Sequence, residues 1–461
     1  MSTTWPVPVR LTSNTTSDVT SRSNRAWPRA LRFYVGVHGV WLALYAFLGK
    51  GFAYAGWPPL YVSELLVVLA IFALVASRSL GALLKTPLGI LIGCFLCWQA
   101  ICTVPHFEAY GIDTLRDGAL WGYSVFAWVT AALVLRLRGF LHVAVTEHYQ
   151  RFARIYLFLG AAAWLVSLYY RDSLPHWPDT GVSIPLIKGG EYCVHIAGIM
   201  AFAFSGLSKK GAWIALIIAD AMLGMGVRGG FLAFIVATAF IMLLRPRIQR
   251  VLVLTVSSLI VVVTMATFDI RFTIPGMARE FSLDQLSDSV NSVVGVSERP
   301  DLEGTKSWRL AWWSTITEYT LNGPYFWQGK GYGINLADSD GFQVGTRDEP
   351  LRSPHNSHLT FLARSGVPGF CLWVLVQMTW LAMMLRGYLQ ASRSRLDLWP
   401  GFFAWVSAYW IAFTVSASFD VFLEGPMAGI PFWSLFGMGW GGYILLQSHL
   451  RSQEQQRIHA R

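Results

Sequence analysis

Charge is scarce in this 461-residue sequence. Only 13% of its residues are Asp, Glu, Lys or Arg, about half the share carried by a soluble globular chain. So few charges do not dress the surface of a water-soluble domain of this length, which excludes that class. Cysteine is also rare: there are five. Cys94, Cys97, Cys102, Cys193 and Cys371 all fall in apolar stretches and the polar loops hold none, so a disulfide framework is excluded. Cys94 and Cys97 have the spacing of a metal or redox pair, but no second pair or histidine cluster accompanies them, and they read as small buried hydrophobes. Residues 1–30 have no apolar core and are not expected to be a signal peptide. No clear internal repeat is visible, which argues against the inverted halves of many transporters.

What the chain has instead is apolar length. Hydrophobic residues make up 54%, and runs near 18–20 residues recur, enough to cross a bilayer as helix. They lie at about 33–49, 60–77, 87–103, 119–135, 153–170, 191–207, 211–227, 229–244, 251–267, 358–385, 399–418 and 428–447. The expected fold is an all-α polytopic membrane protein of about twelve transmembrane helices. Its plan is a flexible cytoplasmic tail (1–30), nine spans (31–267), a large outer loop (268–355), three spans (356–447) and a second cytoplasmic tail (448–461). Lys and Arg cluster in alternate turns, from Arg10, Arg22, Arg25 and Arg29 at the start to Arg451, Arg457 and Arg461 at the end. By the positive-inside rule both termini are cytoplasmic. The formal charge of +10 is then mostly an orientation signal, not a footprint for nucleic acid.

The 268–355 loop is too long for a connector. Ser282-Leu283-Asp284-Gln285 has the form of a capping box, with Leu283, Leu286, Val290 and Val293 following at helical spacing. A second helix is expected from Trp308 to Leu321, with Ser307 as N-cap and Asn322-Gly323-Pro324 as its stop. Trp308, Trp312, Trp313 and Tyr319 on it favour a membrane interface. The loop reads as a cap lying on the outer surface.

Several residues are candidates for chemistry. Arg228, among Gly226, Gly229 and Gly230, reads either as an anion clamp at the outer end of the bundle or as a snorkelling arginine. Arg309, early in the aromatic cap helix, is on periodicity alone an interfacial arginine. Ser353 and Pro354 have the form of an N-cap and first helical residue, which would put His355 and His358 in the first turn of a helix entering the membrane. A helix start attracts anions and keeps an imidazole neutral and able to accept a proton. A histidine that hydrogen-bonds a neighbouring loop fits equally well, and local pattern does not choose between the two histidines. Asp338-Ser339-Asp340 resembles a cation-holding carboxylate pair, or a solvated turn before Gly341. Asp220, Arg364, Asp420 and Glu424 sit in or beside spans, where charged groups usually pair; sequence does not assign the pairs.

His355-Asn356, nine residues, then Gly366-Val367-Pro368-Gly369 resembles the H-[N/S/Q]-x9-G-x-x-[G/T/Y] pattern of bacterial lipopolysaccharide O-antigen ligases. These share a superfamily with O-antigen polymerases and periplasmic O-oligosaccharyltransferases. Arg228-Gly229 is similar to the family's arginine-glycine element at a span end, although Gly226 stands where a serine is usual. Trp308-Arg309 and Trp312, followed by Gly323-Pro324 and Gly329-Lys330-Gly331-Tyr332-Gly333, look like the opening of its conserved loop. The likeness covers roughly residues 210–385.

The resemblance implies a membrane-embedded, GT-C-like glycosyltransferase of the inner membrane with its loop and site in the periplasm. It would be inverting and would need no metal or other cofactor. The implied donor is O-antigen polysaccharide on undecaprenyl diphosphate, and the acceptor a sugar hydroxyl of lipid A–core. His355 would be the catalytic base and Arg228 and Arg309 the diphosphate-binding residues, with Asn356, His358, Arg352, Gly366 and Gly369 in support. The sequence does not identify the residues that grip the acceptor phosphates; Arg347, Arg352 and Lys330 are the ones to consider. The rival readings are an O-antigen polymerase, a protein O-oligosaccharyltransferase, and, in another class, a lipid-linked glycan transporter.

Overall fold

Each of the twelve expected apolar segments is occupied by helix. The computed structural model describes residues 27–58, 60–137, 139–207, 214–223, 227–246, 248–269, 271–273, 280–281, 300–344, 350–396 and 398–459. The main helices are α1 (Arg29–Leu48), α2 (Val62–Ser77), α3 (Pro87–Thr103), α4 (Ile112–Gly122), α5 (Val125–Arg136), α6 (Gln150–Tyr169), α7 (Gly189–Ser205), α8 (Ile214–Leu223), α9 (Arg228–Leu244) and α10 (Ile248–Thr267). After the outer loop come α11 (Pro300–Leu321), α12 (Leu336–Asp340), α13 (Ser357–Arg393), α14 (Trp399–Ala417) and α15 (Pro426–His459). Among the described residues, strand is confined to two antiparallel ladders, Gly56–Trp57 with Leu60–Tyr61 and Phe272–Thr273 with Glu280–Phe281. The protein is an all-α, multi-pass membrane protein. Among the described residues, six helical stretches are long and apolar enough to cross a bilayer on length and composition alone, and shorter apolar helices include α2 and α9.

Close helix approach holds the bundle together. A Cβ added at Gly437 on α15 would sit 2.2 Å from the Ala127 carbonyl oxygen on α5. Small residues at such a crossing let backbones meet where lipid supplies no hydrophobic drive. Helices α7, α9 and α14 pack on one another, and α13 lies between α14 and α3. Apolar side chains left outside, such as Phe72 at 68% exposure and Leu252 at 61%, suit acyl chains as neighbours.

The cap has its own small core. Trp312, Ile316, Leu336, Ala337, Leu362 and Ala363 are buried together, with Trp308 and Tyr319 against them. Trp308 and Trp312 therefore face inward, and Trp312 is wholly buried rather than interfacial. The cap helix α11 begins at Pro300, seven residues before the expected cap Ser307. A proline suits a first helical position, and the helix is already two turns long where the serine stands. Its end at Leu321 before Asn322-Gly323 agrees with expectation. The expected capping box at 282–285 and its apolar stripe lie outside the described residues, as do Arg347, Gly226 and residues 1–26. At the other end, α15 continues to His459, so the 448–461 segment is largely helical.

Candidate active site

The local geometry starts with a break in α13. Gly366 has φ 67° and ψ −174° inside the helix, and Pro368 follows. A Cβ at Gly366 would lie 2.4 Å from the Phe326 carbonyl oxygen. The broken turn leaves backbone groups free, and the glycine-rich loop takes them up. Val367 N–H donates to Phe326 O at 2.8 Å, Lys330 N–H to Ala363 O at 2.7 Å and Gly331 N–H to Arg364 O at 3.0 Å. Proline has no N–H for the Arg364 carbonyl, and Gly331 supplies one instead. Trp98 Nε1–H donates to Ser365 O at 2.9 Å. Gly369 lies on the second half, where an added Cβ would meet Ser365 Oγ at 2.1 Å.

The break folds the first half of α13 back onto the second. In a straight helix residues 358 and 373 would be roughly 22 Å apart along the axis. Here Trp373 Nε1–H donates to His358 Nδ1 at 3.1 Å, and the Phe361 and Trp373 rings stack at 4.4 Å. His358 Nε2 bonds the Thr414 carbonyl at 3.0 Å. A carbonyl only accepts, so Nε2 carries the proton and Nδ1 receives the tryptophan's. Both ring nitrogens of His358 are engaged by protein.

His355 is placed differently. The helix starts at Ser357, and Asn356 is its N-cap, its Oδ1 accepting from His358 N–H at 3.0 Å and Leu359 N–H at 3.1 Å. The expected start at Ser353-Pro354 is thus corrected: Asn356 satisfies two N–H groups at once, and His355 lies outside the first turn in a left-handed conformation with φ 53°. Such a backbone is uncommon for a residue with a side chain and concentrates at functional sites. His355 Nδ1 lies 3.4 Å from Asp420 Oδ1, and its ring meets Trp308 edge-on at 6.4 Å.

The outer turn between α14 and α15 is the template on which the candidates hang. Arg309 Nη1 donates to the Phe419 carbonyl at 3.0 Å. Arg228 is the first residue of α9, and a Cβ on the adjacent Gly229 would lie 2.7 Å from Phe419 Cβ. Asp420, next in the chain, meets His355 on one side and Lys188 Nζ at 3.3 Å on the other, and accepts from Val421 N–H at 2.8 Å. Ser357 Oγ accepts from Phe422 N–H and Leu423 N–H at 3.2 and 3.1 Å, and Thr360 Oγ1 donates to Glu424 at 2.9 Å. Burial works to raise Asp420, but the Lys188 ammonium and the His355 contact hold it well below the usual carboxylate range. For Glu424 burial prevails over Arg364 and Thr360, and its proton is held more tightly than in an ordinary glutamate. His355, Arg309 and the Arg228-Gly229 turn thus converge on Phe419-Asp420.

The other candidates serve the cap. Arg352 donates to Asp117 at 3.1 Å, to Asp113 at 3.4 Å and to the Gly333 carbonyl at 2.8 Å. Buried Arg364 pairs with Asp117 at 2.9 Å and bonds the Gly331 and Ile334 carbonyls. Lys330 pairs with Asp340 at 2.5 Å, and Asp340 also accepts from Trp312 Nε1–H at 2.6 Å. Asp340 is therefore used up inside the cap, while Asp338 accepts from Gln343 at 2.8 Å. The two carboxylates bond different partners. Sequence reasoning noted Asp420 without its partner and did not single out Lys188. No local signal joins them, because 232 residues separate Lys188 from Asp420 and 65 separate Asp420 from His355.

Residues 197–374 match the family model described as O-antigen ligase. The match spans Arg228, Arg309 and the His355–Gly369 motif, and leaves Lys188 and Asp420 outside it. It places this segment in the O-antigen ligase and polymerase superfamily and supports glycan transfer of that general type. A search of curated proteins finds no match.

Proposed function

We propose that this member of the O-antigen ligase and polymerase superfamily is the ligase, an inverting glycosyltransferase at the periplasmic face of the inner membrane, with both termini in the cytoplasm. It moves O-antigen polysaccharide from undecaprenyl diphosphate to a sugar hydroxyl of lipid A–core. The observation that carries the reading is the convergence on one turn: His355 on the Asp420 carboxylate, and Arg309 on the carbonyl of Phe419 beside it.

The chemistry follows from those contacts. With Nδ1–H directed at Asp420, His355 keeps the lone pair of Nε2 for an acceptor hydroxyl. That hydroxyl gives its proton to Nε2, its oxygen bonds the anomeric carbon, and the bond from that carbon to the diphosphate oxygen breaks on the opposite face. The configuration inverts. Undecaprenyl diphosphate leaves with growing negative charge, which Arg228 and Arg309 offset with forked donors suited to phosphate oxygens. Base catalysis by a positioned imidazole is typically worth about 10²–10⁴-fold. His358, with both nitrogens engaged, has no lone pair to offer and supports the fold of α13.

The test uses purified chain in liposomes with lipid-linked polymer and lipid A–core, with and without EDTA. Polymer-bearing lipid A–core that persists in EDTA is the expected product. Longer lipid-linked chains with no transfer to lipid A–core would make the protein a polymerase, and modified protein Ser or Thr an oligosaccharyltransferase. Lipid movement without any covalent product would make it a transporter. Strict metal dependence would return the search to carboxylates such as Asp338.

A further inference from the structure

Lys188 stands just before α7, at its N-cap position and outside the matched family segment. A Cβ on the next residue, Gly189, would lie 2.4 Å from Val227 Cγ2, beside Arg228. The starts of α7 and α9 are thus packed together. The Lys188 side chain spans from there to both Asp420 oxygens, at 3.4 and 3.3 Å. Side-chain exposure is 34% for Lys188 and 26% for Asp420, so the pair is partly withdrawn from water, unlike the exposed pairs that contribute little. Burial works against the ammonium, but Asp420 and Glu191 hold its proton more tightly than in an ordinary lysine. Glu191 sits buried in the first turn of α7.

A carboxylate that orients the base has a drawback here. The proposed donor is a diphosphate, and an uncompensated negative charge beside its site would oppose its binding. A cation on the far side of the carboxylate removes that conflict without competing for the base. We infer that Lys188 is a positioning residue of the transfer reaction: it holds the Asp420 carboxylate against His355 and cancels its charge, so that one acid serves the base without repelling the anionic donor. The inference rests on the ligase reading. It requires Lys188 to act through Asp420 and not on the substrate directly.

A double-mutant cycle in full-length protein, reconstituted with lipid-linked polymer and lipid A–core, tests it. Lys188→Met is expected to lower kcat/KM for the lipid donor by about tenfold or more, the size of coupling found between neighbouring charged groups. The loss is expected to include a raised KM for the donor. In an Asp420→Asn background the same substitution should change little, and Lys188→Arg should restore most activity. Equal losses in both backgrounds, or no loss at all, would overturn the inference. If Lys188→Met does not accumulate in membranes, Lys188→Gln, which keeps a donor but not the charge, carries the same comparison. Unsubstituted protein that makes no ligated product refutes the ligase reading itself, whereas active protein with an additive cycle refutes only the role of Lys188.

Discussion

Replacing Gly366 with alanine tests whether the break in α13 sets the site. Its φ of 67° with ψ of −174° lies in a region that only glycine occupies readily. Forcing alanine there costs about 1–3 kcal/mol. The new Cβ would also meet the Phe326 carbonyl oxygen at 2.4 Å and the Trp327 carbonyl carbon at 2.6 Å, both backbone atoms. Relieving that clash pushes the loop away and loses the Val367 N–H to Phe326 O bond, about another 1 kcal/mol. The sum, roughly 2–4 kcal/mol, falls on the break and on the cap loop docked there. Most of the bundle packs elsewhere, so the variant should still enter membranes, with a lower Tm in detergent. Ligation should fall about 10²-fold, since misplacing a reactive group by about 1 Å is enough for that. Gly341→Ala is the control: it also has positive φ, 79°, but nothing lies within 4 Å of its would-be Cβ. It should retain ligation. Gly366→Ala protein with unchanged Tm and full activity would refute the argument that the glycine shapes the site.

Three further outcomes are expected. His355→Ala should reduce ligation by about 10²–10⁴-fold with Tm unchanged, whereas His358→Ala, which strands the Trp373 donor, should lower stability by about 1–3 kcal/mol; equal Tm loss for both would remove the distinction between them. Arg309→Lys should remain largely inactive in the same assay because an ammonium lacks the planar fork; wild-type turnover by that variant would argue for a simple charge role. Asp420 is held below its ordinary range, so its contribution to stability is full above the unfolded value of about 3.9 and is lost as pH falls through the depressed folded value. The Tm difference between wild type and Asp420→Asn should therefore be constant from about pH 5 to 8 and shrink only in stronger acid; a difference that vanished near neutrality would contradict the Lys188–Asp420 pairing.

The helix ends show where sequence reasoning stops. Ser353-Pro354 and Asn356-Ser357 both offer plausible starts to α13, and Asn356 prevails because its side chain caps two N–H groups while Ser353 is buried in the cap. One shift of register moves His355 out of the helix and into a left-handed turn. The cap tryptophans were equally ambiguous. Their amphipathic character suits an interface, but Asp340 accepts the Trp312 N–H inside the cap core and the Pro354 carbonyl accepts that of Trp313.

Composition and hydrophobic run length by themselves determined the all-α, multi-pass architecture, because a bilayer demands long apolar helices wherever the chain crosses it. The pattern of His355, Gly366, Pro368 and Gly369 was likewise legible, but the break that Gly366 and Pro368 make in the helix was not read from it. Only the tertiary structure decided which charges meet. Ion pairs such as Lys188–Asp420 and Arg364–Asp117 join residues hundreds of positions apart. Electrostatic attraction depends on distance in space, and no local pattern in a chain records which distant turn its helices will bring alongside.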